Sequence, residues 1–372
     1  MVPFTKHHLF TALEEYENQT LPLDLFLNRY FRFHKAIGSK DRAFISNEAF
    51  ALIRWKGLLK VVAKASGWEH LHETYQSAQF DELKKDSKFP PFVRLSCPEW
   101  LYGKLAKQYG EEKTEEILLA SNTQAPSAIR ANLLKTTREN LFERLVKKHP
   151  VTLSQYAPTA IVFSKRTNYF NLEEYVEGLF EVQDEGSQLL ADLVQAAPQN
   201  HVLDFCAGSG GKALAIAPKL KGTGQIYLHD VREKALLEAK KRLRRAGVQN
   251  VQWTSSKKSL KGKMDWILVD APCSGTGTFR RNPDMKWRLT PEEVDRLTAL
   301  QREIFEEALS FLKPSGKIVY ATCSLLTQEN EEQVDYFIQK FFLKAVRPPL
   351  KLLPTIQGPD GFFGAVLEKS TK

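Results

Sequence analysis

Residues 183–372 alternate short apolar runs with stretches of helical periodicity, and this alternation restricts the possible fold more than any other feature of the chain. Such a pattern is typical of parallel strands joined by crossover helices, so it predicts an α/β fold with a doubly wound, mostly parallel sheet. Ligands of such sheets bind at the carboxyl ends of the strands. The predicted strands are residues 201–205, 225–230, 251–253, 266–270 and 317–322, and the predicted helices are residues 211–220, 232–246 and 291–312.

Two further regions precede this alternation. Residues 1–88 show apolar residues at helical spacing and are predicted to form a helical N-terminal domain. A polar segment closed by two prolines, residues 86–91, reads as a linker. Residues 92–182 mix helical patterns with short strand candidates at 126–132, 160–163 and 179–182, and they predict a small α+β module. We therefore expect three domains, 1–88, 92–182 and 183–372.

Composition narrows the classes of protein and of partner. The chain has 372 residues and a net charge of +9, which indicates an anionic partner or simply a basic surface. Its four cysteines are scattered and form no CxxC pair, so we expect neither a disulfide framework nor a metal site. No signal-peptide pattern and no membrane-length apolar stretch is found. These features lead us to expect a cytoplasmic protein without a membrane partner. We also expect a monomer.

A glycine-rich loop joins the first predicted strand of the alternating region to the first helix. Glycines permit a tight turn and a close approach of backbone to ligand, although a purely structural turn has the same composition. Asp230 ends the second strand, where a carboxylate can accept hydrogen bonds from ribose hydroxyls or cap the next helix. Loop and aspartate together favour an adenosine-type cofactor and leave NAD and S-adenosylmethionine equally open. The cofactor-binding candidates are Cys206, Ala207, Gly208, Ser209, Gly210, Gly211, Lys212 and Asp230.

Two cysteines follow predicted strands, and this position places both at the expected ligand edge of the sheet. Cys273 lies in Asp270-Ala271-Pro272-Cys273-Ser274, and Cys323 lies in Ala321-Thr322-Cys323-Ser324. A single cysteine at a strand end is usually a small buried apolar residue. A carboxylate three residues before one thiol, and a second thiol at the same edge, instead favour covalent chemistry by a thiolate. The following pair Arg280-Arg281 could contact phosphates or belong to a solvated loop.

With these motifs the chain resembles the Fmu/Sun-type RNA 5-methylcytosine methyltransferases, which depend on S-adenosylmethionine. The resemblance rests on residues 270–277 and 281–287, on residues 320–324 with 329–331, on residues 183–188, 360–363, 98–101 and 129–132, and more weakly on residues 39–44 and 53–55. It implies a Rossmann-like class I methyltransferase domain that follows a small RNA-binding module in the chain. It is closest to the bacterial ribosomal RNA enzymes, so the implied partner is ribosomal RNA.

The resemblance also implies roles for individual residues. Cys323 would attack carbon 6 of cytosine, Asp270 would hold or protonate ring nitrogen 3, and Cys273 would assist release. Lys212 would lie near Asp270 and the base, and Asp270 would also border the cofactor. The chain departs from the family loop Cys-Ala-Ala-Pro-Gly-Gly-Lys, because Gly208-Ser209 replace Ala-Pro. Near the adenine, where the family often has an acidic residue, the candidate is Ser255.

Other functions stay open from the sequence. A DNA cytosine-5 methyltransferase would attack with Cys273 and would not need Cys323. A catalytically inactive ribosome-assembly factor would need neither thiol, and an NAD oxidoreductase would leave both cysteine motifs unexplained. Transfer RNA is the alternative RNA substrate. Basic residues at 240–245 and 257–263 favour RNA through phosphate contacts, although they are also compatible with a solvated surface.

Overall fold

The computed structural model describes residues 3–64, 67–165, 167–253 and 257–370. Their packing defines two compact units. The first, which we call the helical unit, comprises the residues up to Gln124 together with Thr278–Pro291. The second, the sheet unit, comprises Ala125–Gly277 and Glu292 onward. In the described ranges, no helix is long and apolar enough to cross a membrane.

The helical unit is built from amphipathic helices around an apolar core that contains Leu9, Leu13 and Leu52. The predicted helical periodicity of the N-terminal region agrees with these elements. The helices are Phe4–Glu17, Leu23–Phe33, Ser39–Ala63, Trp68–Tyr75, Phe80–Leu83, Pro91–Arg94, Glu99–Tyr109, Glu111–Ser121 and Met285–Arg288.

The segment Thr278–Pro291 is held in the helical unit by buried polar contacts, although it follows the Cys273 motif in sequence. The Tyr16 hydroxyl donates to Asp284 Oδ2 at 2.9 Å, and the Trp287 indole donates to the carbonyl of Ile53 at 2.7 Å. Arg280 is also buried, with only 2% of its surface exposed. The sequence left a phosphate contact and a solvated loop open for Arg280, and its burial in the helical unit agrees with neither.

A four-stranded antiparallel sheet begins the sheet unit. Its strands are β1 (Ser127–Ala131), β2 (Val151–Leu153), β3 (Ala160–Phe163) and β4 (Phe180–Val182), in the order β2-β3-β1-β4. Two helices, Arg138–Leu145 and Glu173–Val176, accompany it, and the Thr137 hydroxyl caps the first by accepting from the backbone N–H of Asn140. The strands predicted at 126–132, 160–163 and 179–182 agree with β1, β3 and β4.

The larger sheet has eight strands and a parallel centre. Five parallel strands run in the order β9-β8-β5-β6-β7, and the antiparallel β12 extends this sheet beside β9. The strands are β5 (His201–Asp204), β6 (Gln225–Leu228), β7 (Val251–Trp253), β8 (Met264–Asp270), β9 (Leu312–Thr322), β10 (Leu343–Ala345), β11 (Leu350–Leu352) and β12 (Phe362–Lys369). The helices are Glu185–Asp192, Gly211–Ile216, Glu233–Ala246, Pro291–Leu309 and Glu331–Phe341.

The structure corrects some predicted boundaries. The helix predicted to end at residue 312 ends at Leu309, and β9 begins at Leu312 because that residue pairs with Met264 beyond an irregularity in β8. β2 and β10–β12 were not predicted. The three domain boundaries stay a prediction. Packing divides the described residues into two units, with the helices up to Ser121 in the helical unit and β1–β4 in the sheet unit.

Candidate active site

A cleft of about 1000 Å³ opens at the carboxyl ends of β5, β6 and β8, where the α/β pattern predicts a ligand site. Most of the predicted cofactor residues line it: Cys206, Ala207, Gly208, Ser209, Gly211, Lys212, Asp230 and Asp270. Gly210 instead packs against a helix, since a Cβ there would lie 3.1 Å from that of Ala239. Ser255 lies outside the described residues.

The glycine loop bends sharply at two residues in the left-handed region. Gly208 has a φ of 52° and Gly210 has a φ of 77°, values that residues with a Cβ atom rarely adopt. The N–H of Gly208 donates to Asp230 Oδ2 at 2.7 Å, which joins the loop to the end of β6. Burial opposes ionisation of Asp230, but the hydrogen bonds from Arg232 and Gly208 outweigh it and keep the pKa of this carboxyl below its usual value.

The carboxylate of Asp230 already accepts from its neighbours. Oδ1 accepts from the backbone N–H and the Nε of Arg232, and Oδ2 accepts from Arg232 Nη2 as well as from Gly208. The Arg232 side chain is 70% exposed, so it can leave at small energetic cost. A ligand donor that binds Asp230 would therefore displace the Arg232 side chain from this carboxylate.

Asp204 forms a buried part of the cleft that was not among the predicted site residues. It ends β5, directly before the glycine loop, and neither carboxylate oxygen has a well-formed hydrogen bond among the described residues. Burial raises the pKa of Asp204 to about 7, although the positive charge of Lys212 opposes the shift. An unsatisfied buried carboxyl facing the cleft suits a positively charged ligand.

Lys212 and Asp270 form an ion pair at the cleft wall. Lys212 stands at the start of the helix Gly211–Ile216, and Asp270 ends β8. Burial alone would lower the pKa of Lys212, but the charge of Asp270 outweighs it and raises the pKa above the ordinary value. The nearby Cys323 also contributes to raising the pKa of Lys212. The structure therefore brings the ammonium of Lys212 and the carboxylate of Asp270 together, as the family resemblance implied.

The two predicted catalytic thiols are direct neighbours. Cys273 Sγ and Cys323 Sγ lie 3.4 Å apart, and the backbone N–H of Cys323 donates to Cys273 Sγ at 3.3 Å. β8 and β9 are parallel neighbours, with Asp270 opposite Ala321, so both cysteine loops leave the same sheet edge. The hydrogen bond with Cys323, together with burial, raises the pKa of the Cys273 thiol well above its usual range. Cys273 is therefore held as a neutral thiol.

A buried carboxylate, Glu329, ties the two cysteine loops together. Its Oε1 accepts from the backbone N–H of Ser274 at 2.9 Å and from the Gln301 amide at 3.0 Å. Its Oε2 accepts from the hydroxyls of Ser274 and Ser324, each at 2.5 Å. Because each serine directly follows one cysteine, one side chain fixes both loops. Glu329 and Gln301 had no predicted role, since their partners are distant in sequence.

The basic residues of the helix Glu233–Ala246 have two environments. Lys240, Lys241 and Arg244 are exposed, as a phosphate-binding surface requires. Arg242 and Arg245 instead pair with the buried Glu181 of β4, so their predicted availability to phosphates is wrong in this structure. The side chains of Lys257 and Lys258 lie outside the description. Across the described ranges, no group of three His, Cys, Asp or Glu side chains is arranged to hold a metal ion.

Two family models match this chain. The model of the 16S rRNA methyltransferase RsmB/F matches residues 191–368. A ferredoxin-like domain model of RsmF/B-like methyltransferases matches residues 97–169. Together the two matches include the cysteine loops, most of the residues that line the cleft and all of β1–β3.

Curated relatives and solved structures agree with these matches. Ribosomal RNA small subunit methyltransferase B of Vibrio vulnificus is 33% identical over 335 residues, covering 85% of this chain and 74% of the relative. The corresponding protein of Proteus mirabilis is 34% identical, with 74% of this chain and 66% of its own length covered. The chain thus spans 66% to 74% of these relatives' length.

Among solved structures, PH0851 has a TM-score of 0.82 at 23% identity, covering 99% of both chains. A methyltransferase homologue from Pyrococcus horikoshii has a TM-score of 0.65 at 26% identity, covering 76% of this chain and 100% of the other. NSun6 from Pyrococcus horikoshii, solved with the S-adenosylmethionine analogue SFG, has a TM-score of 0.66 at 20% identity and covers 74% and 99% of the two chains.

The fold and the cleft define a Rossmann-like, S-adenosylmethionine-dependent class I methyltransferase that carries a ferredoxin-like domain. The chain belongs to the RsmB/F family of ribosomal RNA methyltransferases. The residues present fit the cofactor, because a sharply bent glycine loop, Asp230 and the unsatisfied buried Asp204 face one cleft. The predicted family, α/β fold and cofactor are confirmed.

Proposed function

We propose that this chain methylates carbon 5 of a cytosine in ribosomal RNA through a covalent bond between Cys323 and the base. The observation that carries the proposal is the 3.4 Å approach of the Cys273 and Cys323 sulfur atoms at the sheet edge that bears the Lys212–Asp270 ion pair. A single nucleophile would need only one of these thiols. Two adjoining thiols support a division between attack and release.

Cys323 is the attacking residue in this proposal. Its thiolate adds to carbon 6 of cytosine, and the electron pair of the ring double bond moves toward carbon 5 and nitrogen 3. Asp270 protonates nitrogen 3 as negative charge develops there, and the neighbouring Lys212 ammonium stabilises the carboxylate that results. Cys273 is less suited to attack, because its hydrogen bond with Cys323 and its burial raise its pKa.

Methyl transfer and release complete the sequence. S-adenosylmethionine, when bound, supplies an electrophilic methyl group on a sulfonium sulfur. Cys323, bonded to carbon 6, makes carbon 5 nucleophilic toward that methyl group, and carbon 5 would afterwards lose its proton to a general base. Re-formation of the ring double bond then expels the Cys323 thiolate from carbon 6. By resemblance to the family, Cys273 assists this last step, for which its neutral thiol is positioned beside Cys323.

The substrate must present an unstacked cytosine, since neither face of a paired base can reach a thiol within a protein cleft. The family and the curated relatives favour ribosomal RNA over the alternative of transfer RNA. The exposed Lys240, Lys241 and Arg244 support a phosphate-bearing partner. We place the reaction in the cytoplasm and assign it to a monomer.

The test is transfer of a tritiated methyl group to ribosomal RNA, followed by bisulfite sequencing of the product. The purified chain should create protected cytosine positions, and Cys323→Ala should lose at least about 1000-fold in rate because the nucleophile is gone. Cys97→Ala, which removes a buried thiol of the helical unit, is the matched control and should stay active. Near-normal turnover by Cys323→Ala would refute the assignment.

The same assay separates the alternatives. Methylation of transfer RNA but not ribosomal RNA would replace the proposed substrate. DNA methylation that depends on Cys273 alone would favour the DNA enzyme. Cofactor binding without transfer to any of these nucleic acids would favour an inactive assembly factor.

A further inference from the structure

Arg242 joins the small antiparallel sheet to the cofactor loop. Its Nε and Nη2 donate to Glu181 Oε2 at 3.1 and 3.0 Å. Its Nη1 donates to the carbonyl of Ser209 at 3.0 Å and to the Ser209 hydroxyl at 2.6 Å. The planar guanidinium thus contacts a β4 carboxylate on one side and the loop on the other, a geometry that suits arginine and not lysine.

Ser209 is the residue at which the loop most needs such support. It stands between Gly208 and Gly210, both of which have positive φ values and the conformational freedom of glycine. The family loop has proline at this position, whose ring would restrict the backbone. In this chain the serine supplies a hydroxyl instead, and that hydroxyl accepts from Arg242.

Glu181 makes the anchor rigid. It is 2% exposed in β4, and its second oxygen pairs with Arg245, which also stacks on the Tyr175 ring at 3.5 Å. A second contact reinforces the link, because the buried Arg130 of β1 donates to the carbonyl of Gly211 at 2.9 Å. Both β1 and β4 therefore hold the loop from outside the larger sheet.

We propose that Arg242, anchored by Glu181, is a positioning residue that pre-forms the S-adenosylmethionine loop through Ser209. The proposal rests on the cofactor cleft of the proposed function and on nothing about the methylated base. Without this contact, cofactor binding must order a loop with two flexible glycines. The apparent affinity for the cofactor is then proportional to the fraction of molecules in which the loop is already formed, so it decreases when that fraction decreases.

The test compares Arg242→Gln with Arg245→Gln by calorimetric titration with S-adenosylmethionine in the absence of RNA. Both variants remove one arginine from Glu181, and both arginine side chains are 18% exposed in the pairs, so they are matched for structural damage. Among the described residues, Arg245 does not contact the cofactor loop. Arg242→Gln should bind about tenfold more weakly, or about 1.4 kcal/mol, whereas Arg245→Gln, which keeps the Arg242–Glu181 pair and the Ser209 contact, should bind within about twofold of the parent chain.

A double-mutant cycle tests the route through Ser209. Ser209→Ala removes the hydroxyl and should weaken binding less than Arg242→Gln, because the carbonyl contact stays. Combined with Arg242→Gln, it should cost little more than Arg242→Gln alone, as expected for residues that act through one contact. In steady state, Arg242→Gln should raise KM for the cofactor and leave kcat at saturation nearly unchanged.

Equal weakening by the two arginine variants would reduce Arg242 to a structural role and overturn the proposal. So would unchanged binding by Arg242→Gln, or full additivity with Ser209→Ala. Thermal unfolding of both variants checks that each is folded during titration. If the parent chain binds the cofactor in this pattern but methylates no cytosine, the positioning role stands and the proposed function fails.

Discussion

Replacement of Glu329 tests whether one buried carboxylate holds both cysteine loops. Glu329 accepts four hydrogen bonds, two from N–H groups and two from hydroxyls. In Glu329→Ala the hydroxyls of Ser274 and Ser324 can turn toward each other, since their oxygens lie 3.2 Å apart. The Ser274 N–H and one Gln301 N–H have no such substitute. The variant therefore leaves two buried donors unpaired.

The expected cost follows from these two donors. Each unpaired buried donor costs about 1–3 kcal/mol, so Glu329→Ala should lose about 2–6 kcal/mol of the free energy of unfolding. Glu329→Gln keeps one oxygen for the two N–H groups, and the serine hydroxyls can accept from its amide. We expect a loss of only about 1 kcal/mol for this variant. The same order should appear in methyl transfer, because loop displacement separates the two thiols.

The assay is urea unfolding followed by tryptophan fluorescence, with methyl transfer measured in parallel. Glu331→Ala is the matched control, because Glu331 pairs with Lys351 at a partly exposed site and should contribute less than about 1 kcal/mol. If Glu329→Ala were no less stable than Glu331→Ala, the carboxylate would not hold the loops. If Glu329→Gln lost as much as Glu329→Ala, the charge rather than the hydrogen bonds would be responsible.

Three further predictions concern groups with distinct chemistry. Cys273→Ser should accumulate a covalent RNA adduct as a retarded band on a denaturing gel, and active turnover without such a band would contradict a release role. Burial lowers the pKa of Lys286 to about 7 from 10.5, so the unfolded chain binds more protons between these values and stability should rise with pH, by up to about 1.4 kcal/mol per unit. Urea unfolding of Lys286→Met at pH 7–9 should lack that rise, and a parallel rise would exclude Lys286 as its source. Burial raises the pKa of Asp204 to about 7, so affinity for the positively charged cofactor should increase from about pH 6 to pH 8 as the carboxylate forms. Titrations of Asp204→Asn should show a smaller increase, and an unchanged pH dependence would assign it to another group.

The parallel strands and the cofactor loop could be predicted because their signals are local. Apolar runs mark β5, β6 and β8, and glycines mark the turn after β5. The positions of Cys273 and Cys323 at strand ends follow from the same pattern. Their 3.4 Å approach also depends on β8 and β9 being parallel neighbours, which the alternation of strands and helices indicates.

The buried polar network could not be predicted in this way. Glu329 contacts Ser274 across 55 positions of sequence, and no periodicity encodes that pairing. Arg280 belongs to a basic pair typical of a surface loop, but the chain returns to the helical unit at Thr278 and buries it. Arg242 likewise lies in a basic cluster of the sequence that favours phosphate contacts, and no local pattern encodes its pairing with Glu181.

The central claim is that Cys323, and not Cys273, bonds to the cytosine. Its most direct measurement uses ribosomal RNA that contains 5-fluorocytidine, whose carbon 5 cannot release a proton after methyl transfer, so the covalent complex persists. Digestion and mass spectrometry of that complex should identify the nucleotide on the peptide that contains Cys323, and Cys323→Ala should abolish it. A nucleotide on Cys273, or methyl transfer to unmodified RNA without any trapped complex, would contradict the account.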